Sequence, residues 1–131
     1  MRWAASYRRS VYAAAGAAAC IGRRSGEVDA LLAALGARAG GFVSAWNPRS
    51  ARMPPGWNVR AHDRLCEAAR RLPGVEGWGG TARWQEQHVL IAADPRRCLV
   101  LARRFRQNAI VVVRRGARAR LVWVRGVAWT S

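Results

Sequence analysis

The chain has 131 residues, a length that suits one domain, and 51% of them are hydrophobic, which excludes a largely disordered polypeptide. Its 23 basic residues face only 7 acidic ones, for a net charge of +16. A surplus of that size attracts polyanions such as RNA, DNA or an anionic membrane surface, in a salt-dependent way.

In chain order, Arg8-Arg9 followed by Val11–Cys20 has the outline of an export leader. The run is short, weakly apolar and broken by Gly16, so it is taken as part of the domain. Its alanines favour helix, while Gly16 and Gly22 allow a short hairpin. Ser25 opens a helix predicted over about 25–36, with Glu27 and Asp29 in the first turn and Val28, Leu31, Leu32 and Leu35 on one face. A strand follows Gly40-Gly41 and ends at Trp46, and residues 47–57 form a loop rich in Pro, Arg and Gly.

Asn58 is expected to cap a helix over about 58–72 that turns Ala61, Leu65, Ala68, Ala69 and Leu72 inward. Strands are expected over 75–78 and 87–93, with a glycine-rich link between them. Asp94-Pro95 starts a helix over about 94–106, with Cys98, Leu101, Ala102 and Phe105 inward. Residues 109–113 form a central strand, turned by Arg114–Arg118 into a last strand at 121–124. The order from residue 41 is β-α-β-β-α-β-β. It predicts an α+β fold: a mainly antiparallel sheet with split βαβ (ferredoxin-like) order, and helices on one face. The chain is expected to be a single domain, 1–131, with a core of about 7–125.

Cys20, Cys66 and Cys98 are odd in number and far apart, with no C-x-x-C pair. That pattern opposes a zinc ribbon and a disulfide framework, and makes a reducing cytoplasm the default. Cys66 and Cys98 are read as core residues on apolar helix faces. No segment approaches the roughly 20 apolar residues of a membrane span. The absence of lysine and the abundance of alanine indicate GC-rich coding, which explains arginine in place of lysine but not the surplus over acids.

Several segments together resemble one bacterial family, the domain of unknown function family 3293. They are Phe42-Val-Ser-Ala-Trp-Asn-Pro-Arg-Ser50, Asn58-Val-Arg60, Trp84-Gln-Glu86 and Arg104-Phe-Arg-Gln-Asn-Ala-Ile-Val111. The resemblance runs from about Tyr7 to Val124. It implies no activity. It does imply that the N-terminal stretch belongs to the domain and that Tyr12 and Ile21-Gly22 lie in extended segments, which favours the hairpin. Gly77–Ala82 lacks the acidic residue usual in the family's link, His88 stands where a small serine is common, and Arg106 where glycine is.

Two amide-bearing corners at strand ends, Trp46-Asn47-Pro48 and Gln107-Asn108, are the leading candidates for a site. Trp46, Asn47, Ser50, Asn58, Arg60, Glu86, Gln107 and Asn108 all lie at element ends, and together suit a small polar ligand or a base edge. Each also has a purely structural reading: Asn47 as a turn cap, Asn58 as a helix cap, Gln107-Asn108 as partners of stray backbone groups. Glu86 and His88 share a strand face and are weak candidates for an acid/base pair. His62, beside Asp63, is read as a surface residue.

Arg96, Arg97, Arg103 and Arg104 share one side of their helix. With Arg114 and Arg115, and further Arg106, Arg118 and Arg120, they form a candidate phosphate-tracking patch for non-specific RNA or DNA binding. Trp46, Trp78 and Trp123 suit the core, with base stacking as the alternative. No nucleophile elbow, phosphate-cradling loop or metal-spaced histidine cluster is present, so no cofactor and no metal are expected.

Overall fold

Phe42-Val43 and Ala109–Val113 carry apolar side chains on both faces, and each lies in a central strand of one antiparallel sheet. The structure is a computed structural model that describes residues 2–124. In order it holds α1 (Arg2–Arg9), β1 (Val11–Ala14), β2 (Ala17–Ala19), α2 (Gly26–Ala34), β3 (Ala39–Ser44), α3 (Pro55–Ala68), β4 (Gly74–Gly80), β5 (Gln85–Ile91), α4 (Pro95–Arg104), β6 (Ala109–Arg114) and β7 (Arg120–Trp123). A 3₁₀ turn occupies Pro48–Ser50. Residue 1 and residues 125–131 of the expected domain, including the outer limit of its core, lie outside the described residues.

The strand order is β2-β1-β4-β5-β3-β6-β7, and each neighbouring pair is antiparallel. Helices α3 and α4 each join two strands that have one other strand between them. The sheet curls until its ends approach. Just beyond β2, Gly22 N–H donates to the Ala119 carbonyl at 2.8 Å, and Ala119 N–H donates to the Arg23 carbonyl at 2.9 Å, just before β7. These bonds satisfy backbone groups that an open edge would leave exposed.

The period of two along each strand sorts side chains into two layers. Val43, Val89, Ile91, Ile110 and Val112 face α3 and α4, meeting Ala61, Leu65, Cys98, Leu101 and Ala102. Phe42, Leu90, Ala92, Val111 and Val113 face the other way, toward Val28 and Leu32 of α2 and the alanines of β1 and β2. Burying a side chain such as Leu65, with no exposed surface, contributes about 2–3 kcal/mol. The expectation that all helices share one face is corrected here: α2 covers the face opposite α3 and α4, because its short apolar stripe matches the alanine surface of the β1–β2 pair.

Local capping explains two of the helix starts. The Ser25 hydroxyl accepts from Val28 N–H at 3.2 Å, and the Asp94 carboxylate accepts from Arg96 N–H at 2.9 Å. The third start differs from expectation. Helix α3 begins at Pro55, whose fixed φ suits a first helical position, and Asn58 sits inside its first turn rather than capping it. The helix ends at Ala68 rather than Leu72. Helix α1 was not expected at all.

Candidate ligand-binding site

On the α2 side of the sheet a cavity of about 400 Å³ opens between the strands and α1. Its floor is made by Tyr12 of β1, Phe42 and Ser44 of β3, Glu86 and His88 of β5, and Ala109 and Val111 of β6. Ser6 and Tyr7 of α1 close one side, and Ser50, Arg52 and Trp84 form the rim. Across from His88 and Glu86, β4 places Gly77 and Gly79. A Cβ on Gly79 would come within 2.9 Å of both His88 Nδ1 and Tyr12 Cδ1, so glycine keeps the ring packing on this face open.

Asn47 ties one corner together. Its backbone is left-handed (φ 46°), a conformation asparagine tolerates better than most residues. Its side-chain oxygen accepts from Met53 N–H at 2.8 Å and from Asn58 Nδ2 at 3.0 Å, and its Nδ2 donates to Glu86 Oε2 at 2.7 Å. Asn58 Oδ1 in turn accepts from Asn47 N–H at 3.0 Å. Trp84 Nε1 donates to the same Glu86 oxygen at 3.0 Å, and Arg52 lies over the Trp84 ring, 5.1 Å from its centre. Glu86 is thereby fixed through Oε2, while its Oε1 has no partner among the described residues.

The second corner is sewn to the first. Gln107 Nε2 donates to the Trp46 carbonyl at 3.1 Å, Arg49 N–H to the Arg106 carbonyl at 2.7 Å, and Asn108 Nδ2 to Ser50 Oγ at 2.8 Å. Arg49 and Ser50 share the left-handed conformation of Asn47, with φ of 54° and 63°. Three such non-glycine residues within four positions concentrate backbone strain at the cavity rim, as binding sites often do. Arg106, at φ 57°, also occupies a conformation that glycine adopts more easily.

His88 is buried under the cavity floor, with its ring 4.8 Å from Phe42 and stacked on Tyr12 at 6.2 Å. Its Nε2 lies 2.7 Å from the Ala13 carbonyl. Burial, only partly offset by that bond, pushes its pKa down to about 4. The ring is therefore neutral near pH 7. A carbonyl only accepts, so Nε2 carries the proton and Nδ1 is left as an acceptor. Glu86 and His88 do share a face, but each is held by other groups and no hydrogen bond joins them. Burial, and next the Glu86 charge, push the Tyr7 hydroxyl up to about 12, with the neighbouring Ser50 hydroxyl opposing them in part.

Of the residues singled out from sequence, Asn47, Ser50, Glu86, Gln107 and Asn108 line the cavity. Asn58 stands behind Asn47 as its partner. Trp46 packs edge-on against Trp78 at 5.4 Å and keeps its indole N–H buried without a partner among the described residues. Arg60 is exposed on α3 and outside the cavity wall. Sequence reasoning missed the apolar and hydroxyl half of the wall: Ser6, Tyr7, Ser10, Tyr12, Phe42 and Ser44. The two tyrosines of the chain, Tyr7 and Tyr12, both end there, and their rarity in an alanine-rich segment was the available signal.

Away from the cavity, two expectations change. His62, read as a surface residue, is only 2% exposed, because α3 turns it onto β4. Its Nε2 lies 2.6 Å from Glu76 Oε1 and 3.3 Å from Cys66 Sγ. Cys66 is half-buried, packed against the edge of the α3–α4 core at this cluster, and burial, then the Glu76 charge, push its thiol up to about 11. The bond with His62 holds Glu76 below the usual carboxylate range. Cys98 is fully buried, as a core cysteine would be. The arginines at 96, 97, 103, 104, 114 and 115 are all exposed. Arg96 and Arg114 meet Arg38 and Arg120 around a shallow surface hollow whose acid is the capping Asp94.

Fold and cavity define the class: an α+β domain whose curled antiparallel sheet and N-terminal helix line a small cavity. Residues 43–110 match the family described as Protein of unknown function (DUF3293), and the chain belongs to that family. No curated protein and no solved structure matches the chain. No helix among the described residues is long and apolar enough to cross a membrane.

Proposed function

We propose that this protein binds a small, partly apolar molecule bearing hydrogen-bond donors, such as a nucleobase-sized ring or a small aromatic amine, in the cavity between α1 and the sheet. The observation that carries the reading is the composition of the wall. A volume of about 400 Å³ falls in the range of small-molecule sites, and rings from Tyr7, Tyr12, Phe42 and His88 supply apolar surface. Glu86 Oε1 and His88 Nδ1 are acceptors without partners among the described residues, so they favour a ligand that donates. In this reading Asn47, Asn58 and Gln107 position the site, and Ser50, Asn108 and Glu86 meet the ligand.

The test is ligand-observed NMR of the full chain against adenosine, guanosine, cytidine, uridine and a set of aromatic amines and matched carboxylates. Donor-bearing rings should bind and carboxylates should not. Glu86→Gln keeps an oxygen for Asn47 and Trp84 but removes the charge, and should weaken amine binding about tenfold, the worth of one charge-assisted hydrogen bond. Ala109→Phe should fill the cavity and abolish binding. Binding that survives Ala109→Phe in a folded protein would place the ligand elsewhere.

A second reading, polyanion binding, is favoured by the convergence of Arg38, Arg96, Arg114 and Arg120 on one hollow. Phosphates would be tracked by these and the neighbouring exposed arginines of α4.

A further inference from the structure

On the opposite face of the sheet from the cavity, three donor atoms from two elements converge on one point. His62 and Cys66 stand one helical turn apart on α3, and Glu76 reaches them from β4. Glu76 pairs in register with Val89, a residue of the α3–α4 core, so the sheet itself separates this cluster from the ligand cavity.

The connectivity argues against a nucleophilic triad. In that arrangement the thiol and the acid use different ring nitrogens, so that the ring relays between them. Here Cys66 Sγ, at 3.3 Å, and Glu76 Oε1, at 2.6 Å, both address Nε2, while Nδ1 is buried without a partner among the described residues. The third side of the triangle, Sγ to Oε1, is 3.7 Å. The ring N–H and the thiol S–H can both donate to Glu76, so hydrogen bonds can close this triangle, and one cation can equally hold all three atoms at once.

We infer that His62 Nε2, Cys66 Sγ and Glu76 Oε1 form a binding site for a borderline divalent metal ion, zinc first among them. Typical Zn–N, Zn–S and Zn–O bond lengths place tetrahedral ligand atoms about 3.4–3.6 Å apart. Two sides of the triangle, at 3.3 and 3.7 Å, lie close to that range. The third opens by less than about 1 Å, through rotation of a Glu76 side chain that is 61% exposed. An imidazole, a thiolate and a carboxylate suit zinc and cobalt better than magnesium or calcium, which prefer oxygen alone. On binding, the thiol proton leaves to solvent as the S–metal bond forms.

The exposed side of the triangle leaves a fourth position to water. With no acceptor on Nδ1, the histidine lacks the outer partner that structural sites usually supply, so this site holds its ion exchangeably.

The experiment titrates Co²⁺ into the untagged, chelator-treated full chain and follows the absorption spectrum, with Zn²⁺ as competitor. One equivalent of Co²⁺ should give a thiolate-to-cobalt charge-transfer band and tetrahedral d–d bands, both displaced by Zn²⁺. Cys66→Ser should remove the charge-transfer band, while Cys20→Ser and Cys98→Ser keep it. Glu76→Gln, at an exposed position, should weaken Co²⁺ at least tenfold in a protein whose melt stays cooperative. No spectrum at millimolar Co²⁺ would overturn the assignment, as would a charge-transfer band that persists in Cys66→Ser.

Discussion

Asn47 holds the loop after β3 to three separate segments through one amide, contacting Met53, Asn58 and Glu86. Truncating it takes the side-chain acceptor from the part-buried Met53 N–H and from Asn58 Nδ2 and the donor from Glu86 Oε2, and alanine fits the left-handed backbone less well. Asn47→Ala should therefore cost about 2–4 kcal/mol and lower Tm by roughly 10 °C in a calorimetric melt. A melt within 2 °C or so of the parent would make this amide dispensable to the fold. His88 sets a pH limit. Its folded pKa of about 4 lies below the ordinary 6.5, so between those values the unfolded chain binds the extra proton. Stability from the neutral ring is whole above pH 6.5, falls as pH drops toward 4, and levels off below it. The full loss is about 3 kcal/mol. Urea unfolding at pH 7 and pH 4.5 should show this slope, and His88→Gln should flatten it.

At the scale of elements, β4 is the hinge of the architecture, because it joins the N-terminal strands to the family's matched core. Its glycines look like a flexible link in sequence, yet β4 runs unbroken over Gly74–Gly80 and pairs on both sides. The reason is steric: a Cβ at Gly77 would overlap the Ala13 carbonyl oxygen, and one at Gly79 would strike the His88 and Tyr12 rings. Gly77→Ala should cost about 1–3 kcal/mol, the range for forced overpacking, and accelerate amide exchange in β1 more than in β3 or β6. Uniform exchange across all strands would mean that β1 and β4 do not depend on this close approach. The start of α3 was misjudged for a related reason. Asn58 has the chemistry of a cap, but its amide is spent on Asn47 and Met53, and Pro55 opens the helix instead.

Over the whole molecule the charge of +16 is spread on arginine side chains that mostly reach into solvent. Such a surface binds phosphate polymers through released counterions, so affinity depends on salt more than on sequence. Anisotropy of a labelled single-stranded RNA should show binding at low salt that falls linearly in log K against log [salt]. Reversing Arg114 and Arg120 to Glu should weaken it at least tenfold and flatten that slope, whereas Ala109→Phe should leave it unchanged. A flat salt response in the parent protein would remove the arginine surface from the functional account.

Local chemistry was legible in the sequence. The α+β class, the Ser25 and Asp94 helix starts, the central apolar strands and the two amide corners all follow from periodicity, capping and composition within a few residues. Family membership was legible too, because short motifs in fixed order carry it. What only the tertiary structure decided are the contacts between distant segments: Ala13 on His88, Tyr7 and Tyr12 over the sheet, the bond from Gly22 to Ala119, and His62 folded onto Glu76. These form the cavity and the candidate metal site, and no local pattern encodes them. They arise from the packing of helices on assembled strands and, for Gly22 and Ala119, from a sheet that curls far enough for its two ends to meet.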